Sequence, residues 1–153
     1  MDMAIWQEIE KDAPEFAARV RATFAVGIHK TIATLRGDGS PRISGSELKI
    51  EDGEVTLGMM GGSRKLADVR RDPRVAIHSP TLDPPAEGEW PGDAKIAGRV
   101  VEAPAPGEGA EPGAGYFRID ITEVALTYLG TPADHLVIES WHEGAGWQRR
   151  TRA

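Results

Sequence analysis

The sequence predicts a mainly β (α+β) fold, a small antiparallel barrel with a few attached helices. Three observations predict this class. About eight short apolar segments are separated by turn residues, two of the separators are Asp-Gly pairs, and no regular alternation of strand and helix indicates a parallel sheet. A chain of 153 residues has the usual size of one domain, so we expect a single domain over 1–153.

One amphipathic helix is expected to open the fold. Pro14 suits the first turn of a helix, where its missing N–H is not needed, and Asp12 is a candidate cap before it. Phe16, Val20 and Phe24 then recur every four residues and would form the buried face.

Three strand-like segments follow, separated by two Asp-Gly pairs. Such a pair between strands is a strong hairpin signal, because both central residues of the favoured turn have positive φ. The pattern predicts a three-stranded antiparallel meander over 31–36, 42–50 and 55–60, with turns at 38–39 and 52–53.

The second half of the chain predicts further strands separated by two tracts rich in proline and glycine. Residues 74–79 and 95–101 have strand-like patterns. Between them, 80–92 is expected to be a loop and a candidate lid, and 103–115 is a second flexible, acidic excursion.

A long strand is expected over 116–129, and its apolar residues change parity near Thr122 and Glu123. Since strand side chains alternate strictly, the change calls for a bulge or sharp bend there, which helps a sheet to close into a barrel. Residues 136–142 and 147–152 then predict a terminal hairpin.

The stretch 61–73, GGSRKLADVRRDP, combines the parts of a phosphate-binding turn. Gly61 and Gly62 let the backbone approach a ligand, Ser63 can cap the following helix, and the free amides of that helix start attract an anion. Arg64 and Lys65 add positive charge at the same place. A Ser-capped helix with a charged first turn is also common in proteins that bind no phosphate, so the stretch alone leaves both interpretations open.

Composition excludes several classes. With 24 acidic and 18 basic side chains the formal charge is −6, which argues against a general nucleic-acid binder, although basic residues cluster locally. The absence of cysteine excludes disulfides, thiolate nucleophiles and cysteine metal sites. Neither a signal-peptide pattern nor an apolar run of about 20 residues is present, so a cytoplasmic protein without membrane contact is expected.

Three motifs in 30–79 carry a family resemblance: KTIATLRGDGSPRISG, DGEVTLGMM and SRKLADVRRDPRVAIHS. With this order of elements the segment resembles the pyridoxamine 5'-phosphate oxidase-like superfamily, the FMN-binding split β-barrel or flavin/deazaflavin oxidoreductase family. The resemblance implies an antiparallel split β-barrel that binds a flavin.

The resemblance also implies which residues hold the cofactor. The serine and lysine of the S-x-K turn would hold the cofactor phosphate, and the second strand and the end of the third would run beside the flavin. Transferred to this sequence, with Arg64 added for its charge, the candidate cofactor-binding residues are Arg42, Ile43, Ser44, Gly58, Met59, Met60, Ser63, Arg64 and Lys65. Met59 and Met60 are also ordinary core residues when considered alone.

The implied function is an FMN-dependent oxidoreductase that transfers hydride to or from a small organic substrate. The alternatives are a reductase dependent on the deazaflavin coenzyme F420, and a non-catalytic flavin- or haem-binding protein. Ser63 favours FMN, because some deazaflavin-dependent relatives have arginine at this position of the turn. The Ala-, Gly-, Pro- and Arg-rich composition favours F420, because it is typical of a GC-rich genome, in which the deazaflavin coenzyme is common. The pyridoxamine-phosphate oxidases proper end in an arginine-rich motif that holds the substrate phosphate. The C-terminal stretch WHEGAGWQRRTRA contains arginines but not in that arrangement, so vitamin-B6 oxidase activity is not expected. The resemblance further implies a homodimer with cofactor sites at the interface.

The remaining polar residues give no catalytic assignment. The histidines show no pair at the i, i+4 spacing of a helical metal site, so no metal is expected; they are His29, His78, His135 and His142. His142 is the candidate axial ligand if haem is bound, and His142, Trp147 and Arg149 are candidates to reach a cofactor. No acid or base can be named, and none is required if the flavin supplies the chemistry.

Overall fold

The computed structural model describes residues 4–107 and 109–153. Within these residues the chain forms three helices and nine strands. In chain order they are α1 (Trp6–Asp12), α2 (Pro14–Phe24), β1 (Lys30–Leu35), β2 (Pro41–Ser46), β3 (Lys49–Glu51), β4 (Glu54–Met59), α3 (Arg64–Arg71), β5 (Arg74–His78), β6 (Asp93–Glu102), β7 (Gly115–Leu129), β8 (Leu136–His142) and β9 (Gly146–Arg152).

The predicted opening helix is present as α2, which begins at Pro14 and buries Phe16, Val20 and Phe24. The helix α1 before it was not predicted, because seven residues are too few for an apolar period to show. The prediction of Asp12 as a helix cap was wrong. Ala13 occupies the cap position, and the Asp12 carboxylate accepts a hydrogen bond of 3.1 Å from the indole N–H of Trp141 in β8.

Both predicted hairpins are present, but the prediction of one continuous middle strand in a three-stranded meander was wrong. The segment 42–50 divides into β2 and β3, and β2 pairs with β1 whereas β3 pairs with β4. These two hairpins end up at opposite ends of the strand order. Residues 46–50 keep alternating between buried and exposed across the division, so the sequence pattern carries no sign of the break.

The two Asp-Gly turns have different geometries. Asp52 (φ 53°) and Gly53 (φ 76°) both have positive φ, as predicted. In the first hairpin only Gly39 (φ 86°) does so among the described residues of the turn, and a three-residue loop is closed by a 2.8 Å hydrogen bond from the Arg36 amide to the Ser40 carbonyl.

The sheet is antiparallel in the order β2-β1-β5-β6-β7-β4-β3, and outside this order β8 pairs with β7 and β9 pairs with β8. The long β7 pairs with β6 on one side and, on the other, with β4 near its start and β8 near its end. The register between β6 and β7 shifts at Ala97/Gly98, where Glu123 and Ile121 are the successive partners, so Thr122 is the extra residue. The bulge predicted from the parity change is therefore confirmed.

The core lies between one face of this sheet and helices α1 and α2. Trp6, Ile9 and Val20 of the helices pack with strand residues such as Ile96 and Leu126. Segments 79–92 and 103–114 are loops in the described part of the chain, as predicted. The mainly β barrel predicted from the sequence is thus confirmed. Among the residues described, no helix has both the length and the apolarity required to cross a bilayer.

Candidate functional site

The start of α3 has the geometry that the glycine-serine turn predicts. Ser63 is the cap residue, with extended backbone, and its hydroxyl accepts a hydrogen bond of 3.4 Å from the Leu66 amide. The Ser63 amide itself donates to the Met60 carbonyl at 3.1 Å. Among the described residues the next two amides, those of Arg64 and Lys65, have no backbone acceptor, so they are available to an anion at the helix start.

Lys65 is the half-buried cation of this turn. Its ammonium donates a 2.6 Å hydrogen bond to the Gly45 carbonyl, between the end of β2 and the first turn of α3. Burial lowers the pKa of the Lys65 side chain, because desolvation penalises its charged form. A bound anion would stabilise the charged ammonium and so oppose this lowering of the pKa.

The glycine pair before α3 has two separate roles. Gly62 has φ 76°, a left-handed conformation that favours glycine. At Gly61 the close approach is made by the 103–114 loop, since an added Cβ would lie 2.9 Å from the backbone carbonyl carbon and oxygen of Gly113. Gly61 therefore seats the loop against the turn, and Gly62 bends the chain into α3.

A cavity of about 470 Å³ opens beside this turn, where the sequence predicts a cofactor, and for that prediction we call it the cofactor groove. This volume lies within the range of small-molecule sites, roughly 300–1,000 Å³. The groove runs between the β2 end, the β4 end and the 103–114 loop. The described residues that line it are His29, Gly45, Ser46, Glu47, Gly58, Met59, Met60, Lys65, Gly109, Glu111, Ala114 and Tyr116.

Four of the nine predicted cofactor-binding residues line the groove, namely Gly58, Met59, Met60 and Lys65. Met60 is 68% exposed and offers an apolar contact, whereas Met59 is buried and also belongs to the core cluster. Ser63 and Arg64 lie at the adjoining helix start. Within the described residues, no hydrogen bond or ion pair engages the guanidinium of the exposed Arg64.

The three β2 residues of the prediction lie outside the groove lining. Ile43 is 73% exposed and faces away from the neighbouring Arg42 and Ser44, because strand side chains alternate. The Arg42 guanidinium is held in an ion pair with Asp68 of α3, at 2.7 Å between Nε and Oδ2. In this chain Arg42 therefore connects β2 to α3.

Asp68 is the centre of a buried network. Its carboxylate accepts hydrogen bonds from Thr34 of β1 at 2.7 Å and from Arg71 at 2.9 Å, in addition to Arg42. Burial raises the pKa of the Asp68 carboxyl, but the hydrogen bonds from Arg42 and Thr34 and the charge of Arg42 outweigh it, so the pKa lies below its ordinary value. The network fixes the helix that carries Ser63 and Lys65 against the first hairpin.

The C-terminal candidates lie in the β8–β9 hairpin and line neither of the cavities described for the chain. His142 is exposed, with its Nε2 3.8 Å from the Glu123 carboxylate. Trp147 donates its indole N–H to Glu139 at 3.0 Å. In the described part of the chain, His, Asp and Glu side chains form no group of three or more that could hold a metal ion.

Comparisons of the whole structure place this architecture among known folds. A pyridoxamine 5'-phosphate oxidase-related, FMN-binding protein from Nostoc punctiforme PCC 73102 superposes with a TM-score of 0.61 at 12% identity, over 94% of this chain and 96% of that one. PhzG from Burkholderia lata 383, solved with tetrahydrophenazine-1-carboxylic acid, gives 0.60 at 13% identity, over 91% and 86%. This chain has the pyridoxamine 5'-phosphate oxidase-like split β-barrel fold.

The split β-barrel likeness extends to a protein described as an F420 reductase, with a TM-score of 0.53 at 12% identity over 68% of this chain and 94% of that one. No family model matches the sequence, and no curated protein matches it either. At these identities the relationship is one of fold alone.

Sequence reasoning missed several side chains that line the groove of this split β-barrel, among them His29, Glu47 and Tyr116. His29 precedes β1, Glu47 follows β2 and Tyr116 lies in β7, so they converge only in the folded chain. The sequence shows that the 103–115 tract is acidic, but no local pattern indicates that Glu111 lines the same groove as Lys65. The sequence offered one signal, because Gly58 lies inside a predicted strand, where glycine often marks a close approach of other atoms. In the structure an added Cβ at this position would lie 3.2 Å from the Tyr116 ring.

Proposed function

We propose that this chain is a flavin-type oxidoreductase that binds FMN in the cofactor groove, with coenzyme F420 as the alternative cofactor. The observation that carries the proposal is the half-buried Lys65 ammonium beside two available amides at the start of α3, opening onto a groove of about 470 Å³. A flavin nucleotide needs an anion site next to room for a flat ring.

The residues present fit such a cofactor. Lys65 and Arg64 would neutralise the phosphate, and the α3 amides would donate hydrogen bonds to it. Met60 and the Tyr116 side chain, which both line the groove, would contact the ring system. The carboxylates of Glu47 and Glu111 belong to other segments than α3, which favours the phosphate at the α3 end. When bound, the flavin ring would supply hydride transfer.

The decisive experiment is a spectroscopic titration of the purified protein with FMN and with coenzyme F420. The Lys65→Met variant is expected to weaken binding about 10- to 100-fold, since hydrogen bonds to charged groups contribute roughly 1.5–3 kcal/mol. Lys11→Met, at an exposed position on α1, is the matched control and should bind like the wild type. Whichever cofactor shows saturable, Lys65-dependent binding is the one the site takes.

Failure of both cofactors to bind would remove the oxidoreductase proposal. A Soret band in the purified protein would instead favour haem binding without catalysis. Equal binding by wild type and Lys65→Met would move the phosphate site away from α3.

We also infer a homodimer with the cofactor sites at its interface. The outer face of the sheet carries an apolar row across four strands, because Ile43, Ala33, Ala76 and Ala97 are successive register partners. Their strand neighbours Ile32, Ile77 and Ile96 face the core and are fully buried. An outward-facing apolar row of one isoleucine and three alanines, starting at the β2 edge, is suited to contact with a second copy of the chain.

The dimer is tested by placing a charge on this row. Ala76→Glu is expected to convert a dimer into a monomer in sedimentation velocity, because the carboxylate would be buried against apolar surface. Ala18→Glu, at an exposed position on α2, should leave the dimer intact. A monomeric wild type, or a dimeric Ala76→Glu protein, would contradict this interface.

A further inference from the structure

A second, larger cavity of about 790 Å³ adjoins the cofactor groove, and we call it the apolar cavity. The two share Glu47, Gly58 and Tyr116 in their linings. Gly58 has no side chain to fill the space between the two cavities, and an added Cβ there would lie only 3.2 Å from the Tyr116 ring. A molecule in one cavity would therefore lie next to a molecule in the other.

Most of the apolar cavity is hydrocarbon. Val26 and Ile28 enter from the segment after α2, Leu57 from β4 and Phe117 from β7, and the 103–114 loop adds Pro104. Val26 is 39% exposed and Ile28 is 67% exposed, which is unusual for apolar side chains that lie together in a concavity. The volume falls within the range of small-molecule sites, roughly 300–1,000 Å³, which favours a compact ligand over a flat protein surface.

One buried cation lines this hydrocarbon cavity. The Lys30 side chain is 8% exposed, and its ammonium donates to the carbonyls of Gly27 at 2.7 Å and Ile28 at 2.9 Å. A lysine ammonium has three N–H donors, so one remains beyond these two contacts with described residues. A buried donor in an apolar site fixes the orientation of a ligand oxygen.

The other charged residues of the lining limit the charge that a ligand of the apolar cavity can carry. Glu47, Glu51 and Lys49 are exposed residues of the rim, and the two carboxylates disfavour a ligand with several negative charges. The lining therefore favours a ligand with an apolar body of the size of a ring system and a single hydrogen-bond-acceptor oxygen.

We propose that the apolar cavity is the substrate site, and that it takes an apolar, ring-containing compound with one hydrogen-bond-acceptor oxygen that reaches Lys30. The role as substrate site rests on the proposed function. Ligand binding itself does not, because it needs none of the residues assigned to the cofactor phosphate.

The test uses N-phenyl-1-naphthylamine, an uncharged probe whose fluorescence rises in an apolar environment, with the full chain both before and after cofactor loading. Val26→Asp is expected to weaken probe binding by about tenfold or more, because it places a carboxylate in the hydrocarbon wall. Leu82→Asp is the matched control, since Leu82 is 41% exposed and lies in the 79–92 loop outside both linings. It should bind the probe like the wild type.

The oxygen requirement is tested by displacement of the bound probe. 2-Acetylnaphthalene is expected to displace it at lower concentration than 2-ethylnaphthalene, which has nearly the same size and no oxygen. In Lys30→Met, which keeps the chain length and removes the donor, the difference should vanish. The wild-type comparison decides the point even if that variant fails to fold.

Each outcome separates this proposal from the proposed function. Absence of saturable probe binding, or equal weakening by Val26→Asp and Leu82→Asp, overturns the apolar cavity as a site, whatever the cofactor titration gives. Equal displacement by the two naphthalenes overturns the role of Lys30. Probe binding that depends on Val26 in a protein that takes neither FMN nor F420 retains the ligand site and removes its role as a flavin substrate site.

Discussion

Asp68→Asn is expected to lower the free energy of unfolding by about 3 kcal/mol, the scale measured when one partner of a buried ion pair is removed. The Asp68 carboxylate is 2% exposed and accepts hydrogen bonds from Thr34, Arg42 and Arg71. The asparagine would keep the shape but lose the charge opposite Arg42, whose side chain is only 19% exposed. Equilibrium unfolding in urea measures the change.

Asp72→Asn is the matched control for this prediction. Asp72 follows the same helix and is paired with Arg74 at 2.7 Å, but the guanidinium of that pair is well exposed. Surface ion pairs contribute little, so Asp72→Asn should change the unfolding midpoint far less than Asp68→Asn does. Equal effects of the two substitutions would show that the buried network does not hold α3 in place.

The effect of Asp68→Asn should also depend on pH, in a direction that the pKa determines. The pKa of Asp68 is lower in the folded chain than its ordinary value of 3.8. Its ionised form therefore stabilises the fold at pH values above about 4, and this contribution is lost as the pH falls through the lowered pKa. The difference in unfolding free energy between wild type and Asp68→Asn should be constant near neutral pH and shrink in acid.

Local chemistry accounts for the parts of the site that the sequence could predict. The cap by Ser63 and the positions of Arg64 and Lys65 depend on residues within one helical turn, so the local sequence is enough to predict them. The Arg42–Asp68 pair joins residues 26 positions apart, so no local pattern reveals that Arg42 is already engaged. A position that a motif assigns to a ligand can be occupied by an internal partner.

The same distinction holds for the fold. The parity change in 116–129 predicted the bulge at Thr122, because the alternation of apolar and polar residues along a strand shows which of its faces is buried. The division of 42–50 into β2 and β3 left no such record, since the alternation continues across it. Which strands become neighbours is decided by the closing of the sheet through β7, and that involves contacts far apart in sequence.

Gly98→Ala is the second substitution with a large expected effect, because Gly98 lies where β6 meets the bulge of β7. An added Cβ would overlap the backbone oxygen of Asp120 and lie 3.0 Å from its carbonyl carbon. Those atoms belong to the strand itself and cannot rotate aside, and the Asp120 side chain is held by the Ala4 amide at 2.9 Å. We expect a loss of about 3 kcal/mol, the upper part of the overpacking range.

The bulge makes this glycine necessary, because the extra residue at Thr122 brings the β7 backbone close to β6. Gly107→Ala is the control, since an added Cβ there meets nothing within 4 Å and the backbone has no positive φ. That substitution should leave the free energy of unfolding unchanged or raise it slightly, by about 0.5 kcal/mol, because alanine restricts the unfolded chain more than glycine does. If Gly98→Ala unfolds at the same urea concentration as Gly107→Ala, the two strands must be able to separate at the bulge without loss of the barrel.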